Sequence, residues 1–155
     1  MAGKFDDILT ATQQEKSLRR QLPEHSVLLL ALSQYLKGDL PDAEQACPGV
    51  GPDYVDECFA LVEHASGKTE SAQAHLAHFR AQSDGAKYHD FSQIAAQWGD
   101  TAGALDMLEK VQAQNDPSLS DIANDPLLDP IRQQPRFQAV LRAVSKLSIP
   151  APDSH

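Results

Sequence analysis

Trp98-Gly99-Asp100-Thr101-Ala102-Gly103-Ala104 reads as the end of one helix and the start of the next. The same grammar stands twice upstream, in Lys37-Gly38-Asp39-Leu40-Pro41-Asp42-Ala43 and in Ser66-Gly67-Lys68-Thr69-Glu70-Ser71-Ala72. Gly closes a helix in the left-handed conformation without a Cβ penalty. Asp39 is placed as an N-cap, and Pro41 is tolerated in the first turn that follows. Five residues after each Gly comes Ala, four further an apolar residue (Cys47, Leu76, Leu108), and three beyond that another (Val50, Phe79, Val111). Offsets of 4 and 7 share one helical stripe, and the Ala lets two helix backbones approach closely. Eight residues before each Gly stands a large residue followed by a small one: Leu30-Ala31, Phe59-Ala60 and Phe91-Ser92. The glycines are 29 and 32 residues apart (67 − 38 and 99 − 67). A step of that size is one helical hairpin, and a hairpin that cannot cover its own apolar face must stack on its neighbours.

Composition agrees. Aromatic residues make up only 6% of the chain, while Ala, Leu and Gln are plentiful, which favours helix over sheet. A length of 155 residues suits one domain able to bury a core. The expected fold is all-α: hairpins at about 23–50, 53–82 and 87–116, a C-terminal cap over 118–147, and a disordered tail at 148–155. Upstream, Phe5, Ile8, Leu9 and Thr12, then Leu18 and Leu22, place an amphipathic helix over 3–21, which Pro23 ends. Val27–Leu32 is apolar nearly all round, as a buried helix allows. Cys47-Pro48-Gly49-Val50-Gly51-Pro52 cuts the second helix of the first hairpin short, Asp84-Gly85 turns between the second and third hairpins, and Asp116-Pro117 closes the third. Beyond it, Asp-Pro pairs predict two short helical turns. A longer helix follows, carrying Phe137, Val140, Leu141 and Val144 at i, i+3, i+4, i+7.

The net charge of −9, from 13 basic and 22 acidic residues, argues against a nucleic-acid surface and against an anionic membrane. Lys16, Arg19 and Arg20 form the only basic run, one turn of a solvated face. Cys47 and Cys58 are expected to be buried free thiols. The acidic Phe5-Asp6-Asp7-Ile8 does not suit a secretory leader, and no apolar run is long enough to span a bilayer, so a cytoplasmic address is expected. No nucleophile elbow, zinc-protease helix, P-loop or dinucleotide motif is present, so neither an enzyme nor a cofactor is expected. His75 and His78, three apart, with His64 and Glu63 at the end of the preceding helix, have the residue types of a zinc site. The Ala72-Leu76-Phe79 stripe turns both later histidines away from the buried face, which makes them solvated or capping residues and predicts no metal.

The Gly, Ala and large-small registers resemble the tetratricopeptide repeat, written W-x2-L-G-x2-Y, then A-x3-F, then P. The resemblance spans residues 23–116. Its Trp position reads Val27, Asp56 and Tyr88 here, and its Tyr position reads Gln34, Glu63 and Ala95. Asp125-Pro126-Leu127-Leu128-Asp129-Pro130-Ile131-Arg132 with Pro135-Arg136-Phe137 is similar to the D-P-L-L-D-P-L-R…P-R-F ending of bacterial tetratricopeptide-repeat proteins. The family implies a right-handed α-α superhelix whose first helices line a concave groove. Carried over register by register, that groove comprises His25, Leu28, Leu32 and Tyr35, then Tyr54, Glu57, Leu61 and His64, then His89, Gln93 and Gln97; Leu28 and Leu32 also suit the core. Family members that grip a chaperone's terminal carboxylate use Lys, Asn and Arg there. Leu28, Leu32, Glu57 and Leu61 lack those cations. The resemblance therefore implies a non-enzymatic protein-binding scaffold that takes an apolar or basic peptide or helix, or a second copy of itself. The alternative it implies is a regulatory or sensory segment of a larger bacterial signalling or transcription-regulating protein.

Overall fold

The computed structural model describes residues 23–83 and 87–147. The expected helix at 3–21, the turn at Asp84-Gly85 and the tail at 148–155 lie outside them. The described residues are helical, with no strand among them. In chain order the helices are α1 (Glu24–Leu36), α2 (Leu40–Ala46), α3 (Val55–Ala65), α4 (Thr69–Gln82), α5 (Tyr88–Gln97), α6 (Thr101–Ala113), α7 (Leu119–Ile122) and α8 (Pro135–Leu147). Two 3-10 turns interrupt the series, Cys47–Gly49 and Pro126–Ile131.

Three antiparallel pairs carry the fold: α1 with α2, α3 with α4, and α5 with α6. Their junctions share the same backbone turn. Gly38, Gly67 and Gly99 have φ of 80°, 81° and 82°. Each following residue donates its N–H to the carbonyl five positions back: Asp39 to Gln34, Lys68 to Glu63 and Asp100 to Ala95, at 2.9, 2.8 and 2.9 Å. This 6→1 bond satisfies a helix-end carbonyl. A fourth junction repeats it without Gly: Asn115, at φ 49°, is followed by Asp116, whose N–H reaches the Val111 carbonyl at 3.2 Å. Asn tolerates that conformation better than any residue but Gly, and Asn115 carried the signal the Gly register passed over. Asp100 caps α6, its side chain accepting from Gly103 N at 3.0 Å. Asp39 makes no such bond, so the N-cap expected there is positional only.

The repeated small residues lie where helices meet. Ala43, Ala72 and Ala104 are fully buried, as are Ala31, Ala60 and Ser92. The core forms three clusters along the stack. One unites α1 and α2 with Cys58 and Val62 of α3. The second joins Ala60 and Leu61 to Phe79, Phe91, Ile94 and Leu127. The third joins α6 to Leu119, Ile122, Leu128, Ile131, Phe137 and Val140.

The cysteines are not free thiols: Cys47 and Cys58 form a disulfide, with their Cα atoms 5.5 Å apart. The Pro-Gly interruption ends α2 early and turns the chain back, which brings Cys47 against the first turn and a half of α3. Both sulfurs sit where the expectation put buried apolar groups; their contact across the hairpin boundary is what spacing alone did not convey.

Candidate functional site

The α1, α3 and α5 helices contact one another in sequence, and the polar groups they share define the face on which a groove was expected. The α5 part of that face is occupied by the chain's own Asp-Pro segment. The 3-10 turn Pro126–Ile131 packs along α5. Asp125 Oδ2 accepts from Gln93 Nε2 at 2.6 Å and from His89 Nε2 at 3.0 Å, while its Oδ1 accepts from Leu127 N at 2.9 Å. Gln97 Nε2 donates to the Leu127 carbonyl at 2.7 Å, and Tyr35 Oη donates to Gln97 Oε1 at 2.8 Å, tying α1 to α5. The Leu127 side chain completes the central core between α3 and α5. Arg132 locks the segment's shape, donating to the carbonyls of Ala123 and Asp125 at 2.7 and 2.9 Å and to Asp129 at 2.8 Å.

Burial would raise the Asp125 carboxyl, but the hydrogen bonds from His89, Gln93 and Leu127 outweigh it and hold the group below its ordinary range. Burial likewise opposes the His89 imidazolium; the Asp125 hydrogen bond and charge overcome it and raise His89 above its usual value. Burial raises the Tyr35 phenol.

Two expected groove residues are corrected outright. Leu61 is fully buried, and Glu57 is 3% exposed, so neither reaches a partner. Leu28 is also core, as its second reading allowed. Burial pushes the Glu57 carboxyl well above its normal range, and the Asp90 charge pushes it further. Tyr54 stands exposed at the start of α3, with the Lys87 ammonium 4.8 Å from its ring centre, and it does not line the cleft described below. His64 stacks on Trp98, ring centres 4.5 Å apart, and Trp98 Nε1 donates to the Ala60 carbonyl.

What remains open is a cleft of about 510 Å³ between α1 and the Asp-Pro segment, lined by His25, Leu29, Leu32, Ser33, Leu36, His89, Gln93 and residues 120, 121 and 124–127. Leu29 is 53% and Leu36 45% exposed, the two most exposed large aliphatic side chains among the described residues. Asp121 and Asp125 supply acid on the opposite wall. Of the expected groove, His25, Leu32, His89 and Gln93 line this cleft. Leu29, Leu36 and Asp125 were missed: the family register points one residue along α1 from Leu29, and Asp125 belongs to a segment read only as a cap.

His75 and His78 are neither simply solvated nor capping. Both turn Nδ1 to the buried Asp56, at 2.8 and 2.5 Å, and His75 stacks on Phe59 with ring centres 4.8 Å apart. Burial alone would raise the Asp56 carboxyl, but the two imidazole hydrogen bonds outweigh it and lower it. The i, i+3 spacing did put both rings on one face; the acceptor was Asp56, at the degenerate Trp position. Among the described residues no cluster of His, Cys, Asp and Glu is arranged to hold a metal ion. No helix among them is long and apolar enough to cross a membrane. Set against known family models, curated proteins and solved structures, the chain finds no match.

Proposed function

We propose that this chain is a non-enzymatic protein-binding scaffold of the tetratricopeptide-like kind, its three hairpins stacked as a right-handed superhelix. The partner is an amphipathic helix or extended peptide with an apolar stripe and basic groups. The observation that carries the reading is the pair Leu29 and Leu36, exposed on one wall of a cleft whose other wall holds Asp121 and Asp125. Exposed leucines seven apart on a helix match an i, i+7 anchor pattern, and the exposed Asp121 on the facing wall favours a basic partner. The polar groups of α5 that would otherwise read a partner are engaged by Asp125 and Leu127, which moves binding to the α1 wall.

Affinity capture from the source cell tests this with Leu29→Asp/Leu36→Asp beside Tyr54→Ala. Loss of a captured protein in the first variant and retention in the second is expected; retention in both would remove the cleft from the reading. The cytoplasmic address and the disulfide make opposite demands, since disulfides persist in oxidising compartments. Alkylating the thiols at cell lysis decides between them.

A further inference from the structure

A second recess lies between the second and third hairpins, where α4 faces α5. Its α4 wall is Gln73, Leu76, Ala77 and Arg80, and its α5 wall is Phe91, Ile94, Ala95 and Trp98. Each set stands at i, i+3, i+4, i+7, so two helical stripes confront each other. Each stripe carries Ala at its third position, and two such short side chains cannot fill a seam that larger ones would close by interdigitating. The result is a cavity of about 360 Å³, within the roughly 300–1,000 Å³ of small-molecule sites.

The α5 wall is rigidly held. Ile94 is buried, and Phe91 is buried against Phe79, ring centres 5.0 Å apart. The Trp98 indole is fixed by its stack on His64 and by its Nε1 bond to the Ala60 carbonyl at 3.1 Å. Its polar edge is thereby satisfied, and the ring serves the cavity as apolar surface. The two ends of the seam differ in charge. Arg80 lies over the Phe91 ring, its guanidinium carbon 5.9 Å from the centre, so the C-terminal part of α4 meets the N-terminal part of α5. Among the described residues no hydrogen bond or ion pair engages that guanidinium. Gln73 falls at the opposite end, with Trp98 and Asp100. Asp100 commits Oδ1 to the α6 cap, accepting from Gly103 N at 3.0 Å, while Oδ2 accepts no hydrogen bond among the described residues. Seven residues of helix, about 10 Å, separate the cation from the acid.

We propose that this seam is a binding site for a small aryl alkanoate carrying a hydroxyl on the far side of its ring. The carboxylate pairs with Arg80, which offers a planar two-pronged donor. The flat ring occupies the gap left by Ala77 and Ala95, and the hydroxyl donates to Asp100. One open carboxylate oxygen matches the single donor of a hydroxyl, whereas an ammonium brings three. A ligand with a second anionic end would meet Asp100 and be repelled. The proposed ligand is a small molecule and its test involves no protein partner, so the site stands or falls separately from the function proposed above.

Trp98, the single tryptophan, lines the seam and reports on it. Para-hydroxyphenylpropionate titrated into the full chain should change Trp98 fluorescence saturably, with half-saturation below about 1 mM. Arg80→Gln should weaken binding at least about tenfold, through loss of the charge-assisted pair. Ala77→Leu puts a good helix former at an exposed position and fills the seam. It should abolish the fluorescence change while the urea midpoint stays at or above that of the wild type. Phenylpropionate, lacking the hydroxyl, should bind several-fold more weakly. Asp100→Ser keeps a side-chain cap for α6 and should make the two acids bind alike. No saturable change, undiminished binding by Arg80→Gln, binding retained in Ala77→Leu, or equal binding of the two acids by the wild type overturns the proposal. Equal binding of tyramine, whose cation Arg80 should repel, overturns it as well and leaves a nonspecific apolar recess. So does a Trp98 signal that shifts when the chain alone is diluted, which would assign the seam to a second copy.

Discussion

Asp125→Ala removes the acceptor on which the Asp-Pro segment is hung. The carboxylate is nearly buried and takes three hydrogen bonds, from His89, Gln93 and the Leu127 amide. A hydrogen bond to a charged group contributes about 1.5–3 kcal/mol, and the three are not additive. Breaking a buried pair while its partner stays buried costs about 3–5 kcal/mol, so we expect a loss in that range. It is a large share of the roughly 5–15 kcal/mol that holds a domain together. Asp125→Asn keeps an acceptor and loses the charge, and should cost less. The charged part has a defined pH window. His89 is raised in the fold, so its contribution is complete below about pH 6.5 and is lost as pH rises through the folded value. Asp125 is lowered, so its contribution is present above about pH 4 and is lost only in stronger acid. Urea unfolding followed through Trp98, the single tryptophan, measures a double-mutant cycle of Asp125→Ala with His89→Ala. A coupling of about 1.5–3 kcal/mol near pH 5.5 that shrinks by pH 9 is expected. A coupling under about 0.5 kcal/mol, within additivity for independent sites, would refute the assignment of Asp125 as the clasp.

Glu57→Gln should flatten the pH dependence of stability above pH 5. The folded carboxyl is raised by burial and by Asp90, so the native state keeps a proton that the unfolded chain releases above about pH 4.3. Stability then falls with rising pH by up to about 1.4 kcal/mol per unit until the folded group ionises. Parallel wild-type and variant curves from pH 5 to 8 would count against it. The Cys47–Cys58 crosslink joins residues 11 apart, and closing a loop of that size stabilises by about 3 kcal/mol in the chain-entropy account. Cys47→Ala/Cys58→Ala, and the reduced wild type, should melt about 6–12 °C lower. Coincident melts of oxidised and reduced protein would contradict a structural role.

The fold was legible because its determinants are local. A Gly that must be left-handed, a small residue where two helices cross, and an apolar stripe at 3.6 spacing each leave a mark within a few positions, and three registers agreed. Asn115 performs the Gly role through a different residue, and the junction still closed where Asp116-Pro117 had marked an end. The site was less legible because it is made by contacts 19 to 62 residues apart. Nothing local to Asp56 announces that His75 and His78 will close on it, and nothing near Gln97 announces both Tyr35 and Leu127. Glu57 shows the difference most clearly. Its register belonged to a groove, but the side chain is 3% exposed and lies within reach of the charges of Asp90, Lys87 and Asp125, so a position exposed in an open hairpin stack is buried in this one.

The Asp-Pro segment on α5 also explains why a carboxylate-binding groove and this protein part company. A groove that captures an external acid needs cations free on its first helices. Here Asp125, an acid supplied by the chain itself, is bound on that face and met by an imidazole and an amide. Because Asp125 and Leu127 are two residues apart, one short segment delivers a charge to the N-terminal end of α5 and an apolar plug to the central core at once. Detaching it would expose Leu127 as well as strand His89 and Gln93, which makes wholesale displacement by a partner costly. The α1 wall bears no such load: Leu29 and Leu36 are already half exposed, and covering them gains about 25 cal/mol for each Å² of apolar surface removed from water. Binding energy is therefore available on α1 and not on α5, and that asymmetry is the reason the proposed interaction surface is assigned to α1.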